Sequence, residues 1–270
     1  MACRSLRHRG EEVLGAVRLA HMPDVPWLEG IPLLHPWANR LGAFRYGDVD
    51  LTGSPELYLE EHGLPLHGLR SAVTGWEVTA SEPRRLVAAR TFTRMKEFPF
   101  EHRLEVAAEL TDFTLTLTTT LTATGDRPVP VAFGYHPFLR LPGVPRENWR
   151  ITLPVGDRLL VDERLIPTGE RAAAGDLDGP LGERTFDDGF TYDGLRGPFV
   201  LEGGGRRIEV AFEAGYGYAQ VFAPAVADVV CYEPMTAPAD ALRHAPVTVA
   251  PGASYLARFS VSVSSTPDGV

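Results

Sequence analysis

The stretch FEHRLEVAAELTDFTLTLTTTLTAT, residues 100–124, contains two runs of alternating apolar and polar side chains, Phe100 to Leu110 and Phe113 to Thr124. This alternation is typical of strands that bury one face and expose the other. Because Thr111-Asp112 suits a tight turn, the stretch predicts an antiparallel hairpin. The run from Arg85 to Arg94 alternates in the same way and adds a third strand to the meander.

Short apolar runs punctuated by glycine and proline continue toward the C-terminus, and long helical periodicity does not occur. The further predicted strands are Phe199 to Leu201, Ile208 to Phe212, Tyr218 to Ala223, Asp228 to Tyr232 and Ser254 to Ser264. The 27 glycines and 23 prolines are spread over the chain without a linker or repeat. The sequence therefore predicts an all-β fold, one large antiparallel β-sandwich domain over residues 1–270.

The charge balance excludes several classes of partner. The chain carries 26 basic and 35 acidic residues, a net charge of -9, and it has no basic run that could follow a phosphate backbone. No apolar stretch is long enough to span a bilayer, and charged side chains interrupt the first twenty residues where a signal peptide needs an apolar core. We expect a cytoplasmic protein that binds neither nucleic acid nor membrane.

Cysteine and lysine are too scarce for several kinds of chemistry. Cys3 and Cys231 lie far apart without metal-ligand spacing, which indicates neither a disulfide framework nor a zinc site. The single lysine, Lys96, sits in the charged stretch Arg94-Met95-Lys96-Glu97, where we expect it to be exposed. Schiff-base chemistry requires a desolvated lysine, so that mechanism is not expected here.

Two segments carry a candidate acid and a candidate base. His136 lies between aromatic rings in Phe133-Gly134-Tyr135-His136-Pro137-Phe138, and Glu233 ends an apolar run in Cys231-Tyr232-Glu233-Pro234-Met235-Thr236. The ordinary pKa of histidine is near 6.5, so a neighbouring carboxylate or modest burial decides its charge at working pH. The pairing indicates acid–base chemistry, with the pKa of an enclosed Glu233 raised.

Three other segments offer hydrogen-bonding groups. Asn39-Arg40 follows Trp37, His67 is followed by Gly68, which allows a close backbone approach, and Phe186-Asp187-Asp188-Gly189-Phe190 is expected to form a turn. Taken singly, each segment also fits a purely structural role. The aromatic residues expected to wall a pocket, or else to belong to the core, are Trp37, Tyr135, Phe190 and Phe222.

Together the segments resemble those of the aldose 1-epimerase family, the galactose mutarotase-like proteins. The resemblance spans Arg40 to about Leu242 and rests on six short segments in the family's order. These are Asn39-Arg40, His67-Gly68, Tyr135-His136-Pro137-Phe138, Phe186-Asp187-Asp188-Gly189-Phe190, Gln220-Val221-Phe222 and Glu233-Pro234-Met235-Thr236. It implies a large antiparallel β-sandwich that interconverts the α and β anomers of a free aldose without cofactor or metal.

The resemblance also implies a role for each residue. Glu233 is the expected general base toward the anomeric hydroxyl, and His136 the expected acid toward the ring oxygen, with His67 as a second contact there. The expected hydroxyl-binding residues are Asn39, Arg40, Asp187 and Gln220, with Asp188 as a rival to Asp187. The expected partner is a small sugar, bound by a monomer or a homodimer.

Departures from the galactose mutarotases leave other substrates and functions open. The loop between Gln220 and Glu233 is shorter here, so a preference for galactose does not follow. A related branch acts on hexose 6-phosphates, and Arg40, Arg70 or Arg140 could bind a phosphate. The remaining alternatives are a sugar-binding protein without turnover, a metal enzyme of the cupin type using His67 and His136, and a glycosidase using Asp187 and Glu233.

The N-terminus departs from the family as well. Family members usually begin with a strand pair that ends near a Ser-Leu-Arg-like segment, and here Ser5-Leu6-Arg7 stands almost at the start. We therefore expect a missing upstream segment or a misassigned start, so that the sandwich lacks its first strand. A fully paired sheet near residues 5–17 would contradict this, whereas an uncovered edge there would favour association with another chain.

Overall fold

The computed structural model describes residues 1–18, 25, 28–93, 95–244 and 246–265. Within these ranges the regular structure is almost entirely strand, with no α-helix. The strands of the first half are β1 (Ala2–Cys3), β2 (Arg7–His8), β3 (Glu11–Glu12), β4 (Ile31–Leu34), β5 (Arg45–Tyr46), β6 (Val49–Asp50), β7 (Leu57–Leu59), β8 (Pro65–Leu69), β9 (Glu77–Glu82), β10 (Arg85–Phe92), β11 (His102–Leu110), β12 (Thr114–Ala123) and β13 (Val129–Pro130). Those of the second half are β14 (Gly134–Tyr135), β15 (Phe138–Leu139), β16 (Arg150–Thr152), β17 (Asp157–Val161), β18 (Pro167–Ala173), β19 (Gly179–Pro180), β20 (Phe186–Thr191), β21 (Phe199–Gly203), β22 (Arg206–Ala214), β23 (Tyr218–Ala223), β24 (Val230–Met235), β25 (Thr248–Val249) and β26 (Ser254–Ser265). Short 3₁₀ turns lie at Arg70–Val73, Arg146–Asn148 and Ala241–Arg243.

Two large antiparallel sheets contain most of these strands. In the described part of the chain each sheet has nine strands. The first sheet has the order β1-β4-β14-β24-β23-β20-β17-β18, with β15 also paired to β24. The second has the order β19-β16-β21-β22-β26-β12-β11-β10-β9. The expected antiparallel β-sandwich is confirmed.

The hairpin predicted from residues 100–124 lies near the centre of the second sheet. Strands β11 and β12 pair from His102 opposite Ala123 to Leu110 opposite Leu115. Leu104 and Leu121 are buried on the face toward the other sheet, and burying a leucine side chain contributes roughly 1.5–3 kcal/mol. β10 adds the predicted third strand and ends at Phe92, whereas Arg94 lies outside the described residues.

The two sheets pack face to face, because side chains of the first bond directly to the second. The Tyr135 hydroxyl lies 2.7 Å from Oγ1 of Thr119, and the Tyr232 hydroxyl donates to the carbonyl oxygen of Val200 over 2.6 Å. Burial raises the pKa of Tyr135 and of Tyr232, so both hydroxyls keep their protons. The opposite face of the first sheet is therefore the one available for a ligand.

A buried histidine pair also joins the two sheets. Nε2 of His35, just after β4, lies 2.8 Å from Nε2 of His102, at the start of β11. His102 Nδ1 lies 2.7 Å from the carbonyl oxygen of Phe100 and must donate to it, which leaves its Nε2 to accept a proton from His35. The ring of Phe92 stacks on His102 at 4.7 Å. Burial lowers the pKa of His102 to about 4 and that of His35 well below its ordinary value, so both rings are neutral in the folded chain.

Two local predictions are corrected by the structure. Residues 186–190 form the strand β20 and not a turn, because Phe186 and Phe190 alternate into the core and outweigh the turn preference of Asp188-Gly189. The strand predicted to end at Tyr232 continues through Glu233 and Pro234 to Met235. Proline is tolerated there because the ladder toward β14 and β15 is interrupted beside it.

Other predictions concern exposure and the chain's beginning. Lys96 is exposed, as expected. Cys231 is a buried thiol, and burial raises its pKa, which makes it unreactive.

Residues 5–17 form the β2–β3 hairpin and the bridging pairs of Leu14 with Leu139 and Ala16 with Glu29. The missing first strand stays a prediction. Within the described ranges the structure contains no helix with the length and apolar character required to cross a membrane.

Candidate active site

The proposed acid and base face each other across neighbouring strands. Gly134 lies opposite Met235 and Phe138 opposite Cys231, so the register is the same on both sides of the ladder gap. This register places His136 directly opposite Glu233. Directly opposed side chains start from Cβ atoms about 4.5–5.5 Å apart, and here Nε2 of His136 lies 3.2 Å from Oε1 of Glu233.

The same register continues across the outer face of the first sheet. Glu233 is opposite Gln220, and Gln220 is opposite Gly189. In the next row on this face, Asp187 lies opposite Phe222. Strand alternation therefore brings together His136, Glu233, Gln220 and Asp187, which are far apart in sequence.

Aromatic rings hold His136 in place. Its imidazole stacks on Phe138 with ring centroids 4.2 Å apart, and Phe222 and His67 meet it edge-on, each at 5.6 Å. Of the four aromatic residues expected to wall a pocket, Phe222 lines this cavity, whereas the other three belong to the core. Phe138, from a segment already singled out, supplies the second aromatic wall.

Burial pushes both members of the pair toward their neutral forms. The pKa of His136 falls to about 3 because burial disfavours the imidazolium. The pKa of Glu233 rises well above its ordinary value, first through burial and then through the nearby Asp187, with Arg40 opposing the shift. Among the described residues Nδ1 of His136 and Oε2 of Glu233 are buried without a hydrogen-bond partner, so part of the hydrogen-bonding capacity of the pair is unsatisfied.

His67 is held by the backbone of Asn39. The Asn39 amide donates to Nδ1 of His67 over 3.0 Å, and the His67 amide donates to the carbonyl oxygen of Asn39 over 3.1 Å. Because Nδ1 accepts a hydrogen bond, the ring is neutral and carries its proton on Nε2. Burial keeps the pKa of His67 well below its ordinary value.

The backbone around His67 is strained. Asn39 has φ 60° and His67 has φ 54°, a conformation that costs a non-glycine residue of the order of 1–3 kcal/mol. Gly68, at φ 81°, passes so close to His35 that an added Cβ would lie 2.0 Å from the His35 carbonyl oxygen. The glycine is required by this contact, as the sequence indicated.

Arg40 lies between two carboxyl groups. Its Nε is 3.3 Å from Oε2 of Glu60 and its Nη2 is 3.3 Å from Oδ2 of Asp187. Nη1 also donates to Oδ1 of Asn39 over 3.3 Å. The Arg40 side chain is only 11% exposed, so the guanidinium is held in one geometry. Gln220 donates from Nε2 to Oδ1 of Asp187 over 2.7 Å and completes the network.

Glu60 is the residue of this network that sequence reasoning missed. Its Oε1 accepts the amide protons of His62 and Leu64 over 2.9 and 3.0 Å, while Oε2 contacts Arg40. The carboxyl group therefore fixes the β7–β8 loop and the arginine together. In sequence Glu60 is one of two adjacent glutamates after an apolar strand, a pattern typical of an exposed turn.

The two adjacent aspartates point to opposite faces of β20. Asp187 lines the cavity, whereas Asp188 alternates to the inner face with Phe186 and Phe190 and contacts Nε of Arg158 at 3.6 Å. Burial raises the pKa of Asp188. Geometry favours Asp187 as the residue that can reach a ligand.

The side chains enclose a cavity of about 220 Å³. This is small beside the roughly 300–1,000 Å³ typical of sites for drug-sized ligands. Its polar lining consists of Asn39, Arg40, Glu60, Glu61, His67, His136, Asp187, Gln220 and Glu233, and its apolar lining of Val17, Leu28, Leu66, Phe138, Phe222 and Pro224. The mixture suits a small molecule with many hydroxyl groups and apolar ring faces.

In the one candidate metal site among the described residues, the carboxyl group of Glu60 already takes part in other contacts. Among the described residues the only group of three with converging ligand atoms is Glu60, Glu61 and His62. Both oxygens of Glu60 are used by backbone amides and by Arg40. His67 and His136, which the cupin-type alternative combines with a carboxylate, do not form such a group within the described ranges.

The chain matches a protein-family model and several solved structures. The family model for aldose 1-epimerase matches residues 19–262. No curated protein sequence matches the chain. Its fold is similar to that of galactose 1-epimerase from Lactobacillus acidophilus NCFM, with a TM-score of 0.74, 16% identity and coverage of 98% of this chain and 89% of that one.

Two further solved structures share the fold. An aldose epimerase homologue from C. elegans gives a TM-score of 0.76 at 15% identity, with 98% of this chain and 92% of that chain covered. A galactose mutarotase-like protein from Clostridium acetobutylicum gives 0.76 at 17% identity, with 94% and 86% covered. The whole described sandwich therefore has counterparts of the same architecture.

Proposed function

The chain belongs to the aldose 1-epimerase family, and we propose that it interconverts the α and β anomers of a free aldohexose by acid–base opening and closure of the ring. The observation that carries this proposal is the contact of 3.2 Å between His136 Nε2 and Glu233 Oε1 at the wall of a small polar cavity. A proton acceptor and a proton donor so placed can serve two oxygens bonded to the same carbon, O1 and O5 of an aldose.

The reaction needs two proton transfers in each direction. Glu233 removes the proton of the O1 hydroxyl, the C1–O5 bond breaks with its electron pair moving to O5, and His136 protonates O5. The product is the open aldehyde. After rotation about C1–C2, O5 attacks the other face of C1, its proton returns to His136, and the carbonyl oxygen takes the proton from Glu233. Atoms, charges and protons are restored at the end of the cycle.

Burial of the pair fits this exchange. With the cyclic sugar bound, the pair is a carboxylate and an imidazolium, and with the open aldehyde it is a carboxylic acid and a neutral imidazole. Both states carry the same number of protons and the same net charge. Because burial favours the neutral forms of both groups, it stabilises the state that accompanies the open sugar and lowers the cost of ring opening.

The remaining polar groups of the cavity would bind the sugar so that its C1 and ring oxygen lie beside Glu233 and His136. The Nε2 proton of His67 would be donated on the ring-oxygen side, and Asp187, Gln220, Arg40 and Asn39 would bind hydroxyls. Asp187 has both oxygens engaged, by Gln220 and by Arg40. This favours a fixed hydroxyl acceptor over the acid or nucleophile that a glycosidase requires.

The charge environment favours a neutral sugar over a sugar phosphate. Arg40 is balanced by Glu60 and Asp187. Arg70 lies over the ring of Tyr58 and Arg140 donates to the carbonyl oxygen of Glu12, and neither lines the cavity. Within the described ranges Arg40 is the only basic residue other than histidine in the cavity wall, so a phosphate would meet more carboxyl groups than cations.

Polarimetry on freshly dissolved α-D-glucose and α-D-galactose tests the proposal. We expect the wild-type protein to accelerate relaxation of at least one sugar. Glu233→Gln separates an enzyme from a sugar-binding protein, since it should abolish the acceleration while saturation-transfer NMR still detects sugar binding. Binding by the wild type without any acceleration would leave a binding protein as the better description.

A further inference from the structure

The arginine that faces the cavity lies on a short segment outside the two large sheets. On one side of this segment Arg40 forms a bridging pair with Leu66, and the Leu41 amide donates to the carbonyl oxygen of Pro65 over 2.9 Å. On the other side the segment contacts the loop of residues 236–244, which follows β24. The place of the guanidinium in the cavity therefore depends on how this loop holds the main chain of Arg40.

Asp240 makes the contacts between the loop and this segment. Its amide donates to the carbonyl oxygen of Arg40 over 2.7 Å, and its Oδ1 accepts the amide proton of Gly42 over 2.7 Å. Hydrogen bonds to carboxylate oxygens are among the stronger ones in proteins. Asp240 is only 2% exposed, so both bonds are shielded from water.

The surroundings of Asp240 hold it in an unusual conformation. Its φ is 64°, a left-handed backbone that few residues other than glycine, asparagine and aspartate adopt. Its Oδ2 lies 2.9 Å from Nη1 of Arg243 and 2.9 Å from Nε2 of His244. Packing is also close at Gly42, where an added Cβ would lie 2.8 Å from Nη1 of Arg243. A strained backbone kept by so many contacts points to a residue with a task in the site.

The loop that contains Asp240 begins at the strand that carries Glu233. At its start the amide and the hydroxyl of Thr236 both donate to the carbonyl oxygen of Phe133, over 3.0 and 2.8 Å. Toward its other end Asp240 bonds to the main chain of Arg40. One loop therefore connects the strand of Glu233 with the arginine of the cavity, although Asp240 itself does not line the cavity.

We propose that Asp240 is a positioning residue for Arg40, whose guanidinium it sets against the sugar by holding the main chain of residues 40–42. This inference rests on the proposed function, in which Arg40 binds sugar hydroxyls. The role is indirect, since Asp240 touches neither the sugar nor the acid–base pair.

The contacts of Arg40 leave little room for displacement. The guanidinium lies 3.3 Å from Oδ2 of Asp187 and 3.3 Å from Oε2 of Glu60, both long for hydrogen bonds. A small shift of the main chain would therefore break either contact. Misplacement of a substrate-positioning group by about 1 Å can cost about 100-fold in rate.

Three variants test the proposal. Asp240→Gly removes the carboxyl group, while glycine adopts the same positive φ without strain. Asp240→Asn is the conservative variant, since asparagine tolerates this φ and keeps an Oδ1 that can accept the Gly42 proton. Asp178→Gly is the matched control, because Asp178 accepts a backbone amide proton from Leu153 over 2.8 Å and does not line the cavity. Polarimetry gives kcat and KM for the sugar that wild type accelerates, and thermal unfolding monitors the fold.

We expect Asp240→Gly to raise KM about tenfold with kcat within about twofold of wild type, because the acid and the base are untouched. Asp240→Asn and Asp178→Gly should keep KM within about twofold of wild type. The double variant of Arg40→Gln with Asp240→Gly should have a KM within about twofold of that of Arg40→Gln alone. A merely structural role of Asp240 would instead multiply the two effects.

Each outcome decides the proposal. If thermal unfolding shows Asp240→Gly to be misfolded, Gly42→Ala replaces it, since the added Cβ presses on the same contact from the other side, and KM should rise there too. Failure of wild type to accelerate any sugar would overturn the proposed function itself. With wild type active, three results would overturn only the positioning role: an unchanged KM in the folded test variant, an equal rise in Asp240→Asn, or losses that multiply with Arg40→Gln.

Discussion

His136 stands directly opposite Glu233 in the register of two neighbouring strands, with 3.2 Å between Nε2 and Oε1. In the proposed reaction the two groups exchange protons with one sugar in the same cycle, so we expect them to act as a unit. We expect His136→Ala and Glu233→Gln each to lower kcat by about 10²–10⁴-fold. The double variant should lose little more than the worse single variant. Polarimetry measures all three, and losses that multiply in the double variant would show that the two residues act independently.

The adjacent aspartates provide a matched pair of variants. Asp187→Asn removes the carboxylate that faces the cavity, and we expect kcat/KM to fall about 10- to 100-fold, the effect of losing a hydrogen bond to a charged group of roughly 1.5–3 kcal/mol. Asp188→Asn changes the inner face of the same strand and should leave kcat/KM within about twofold, since it touches no ligand-facing group. The reverse ranking would assign the sugar contact to Asp188.

Glu60 should act as a positioning residue through Arg40. Glu60→Gln keeps the size of the side chain but weakens the contact with the guanidinium and with two backbone amides. We expect KM to rise about tenfold with kcat nearly unchanged, and the free energy of unfolding to fall by about 1–3 kcal/mol. Glu77→Gln, on the exposed edge strand β9, is the control. A fall in kcat at constant KM would instead place Glu60 in the chemical step.

Gly68 should tolerate no side chain. Gly68→Ala introduces a Cβ 2.0 Å from the His35 carbonyl oxygen at a positive φ, and we expect the free energy of unfolding to fall by about 3 kcal/mol or more. Gly63→Ala has a similar φ with no atom within 4 Å, so it should cost only about 1–2 kcal/mol. Chemical denaturation of both variants separates the clash from the backbone strain. Equal losses would mean that the loop yields and the close contact is not required.

Acidification should destabilise the fold through its buried histidines. The pKa of His102 is about 4 in the folded chain and 6.5 in the reference state, so between these values the unfolded chain binds more protons. The free energy of unfolding therefore falls as the pH drops from 6.5 to 4, by up to about 3 kcal/mol from His102 alone. His35, His67 and His136 shift in the same direction. Denaturation at several pH values should show a shallower slope for His102→Gln, and an unchanged slope would contradict the assignment.

Local patterns in the sequence predicted many strands of the sandwich correctly. The alternation in residues 100–124 is decided by burial of one face of each strand, an effect that acts over a few residues. The turn expected at residues 186–190 was wrong, since packing of Phe186 and Phe190 on the opposite sheet decided that segment. Packing of this kind depends on partners distant in sequence.

The candidate site also contains some residues that the sequence could identify and others that it could not. Asn39, His67, His136, Asp187, Gln220 and Glu233 could be nominated because their segments resemble those of a family, and the structure brings their side chains to one cavity. Glu60 carries no local signal, because its importance comes from contacts with Arg40 and with the amides of its own loop. The choice between Asp187 and Asp188 also depended on the register of β20.

The proposed proton transfers depend on strand register more than on any loop. His136 and Glu233 meet because the segment from Gly134 to Phe138 has the same number of residues as the segment from Cys231 to Met235. Between these anchor pairs the ladder of hydrogen bonds is interrupted, since Pro137 and Pro234 have no amide proton to donate. Losing or gaining one residue in either segment would turn the side chain to the other face. Substitutions can therefore accumulate around the pair over evolution, whereas insertions and deletions between these anchor points would abolish it in a single step.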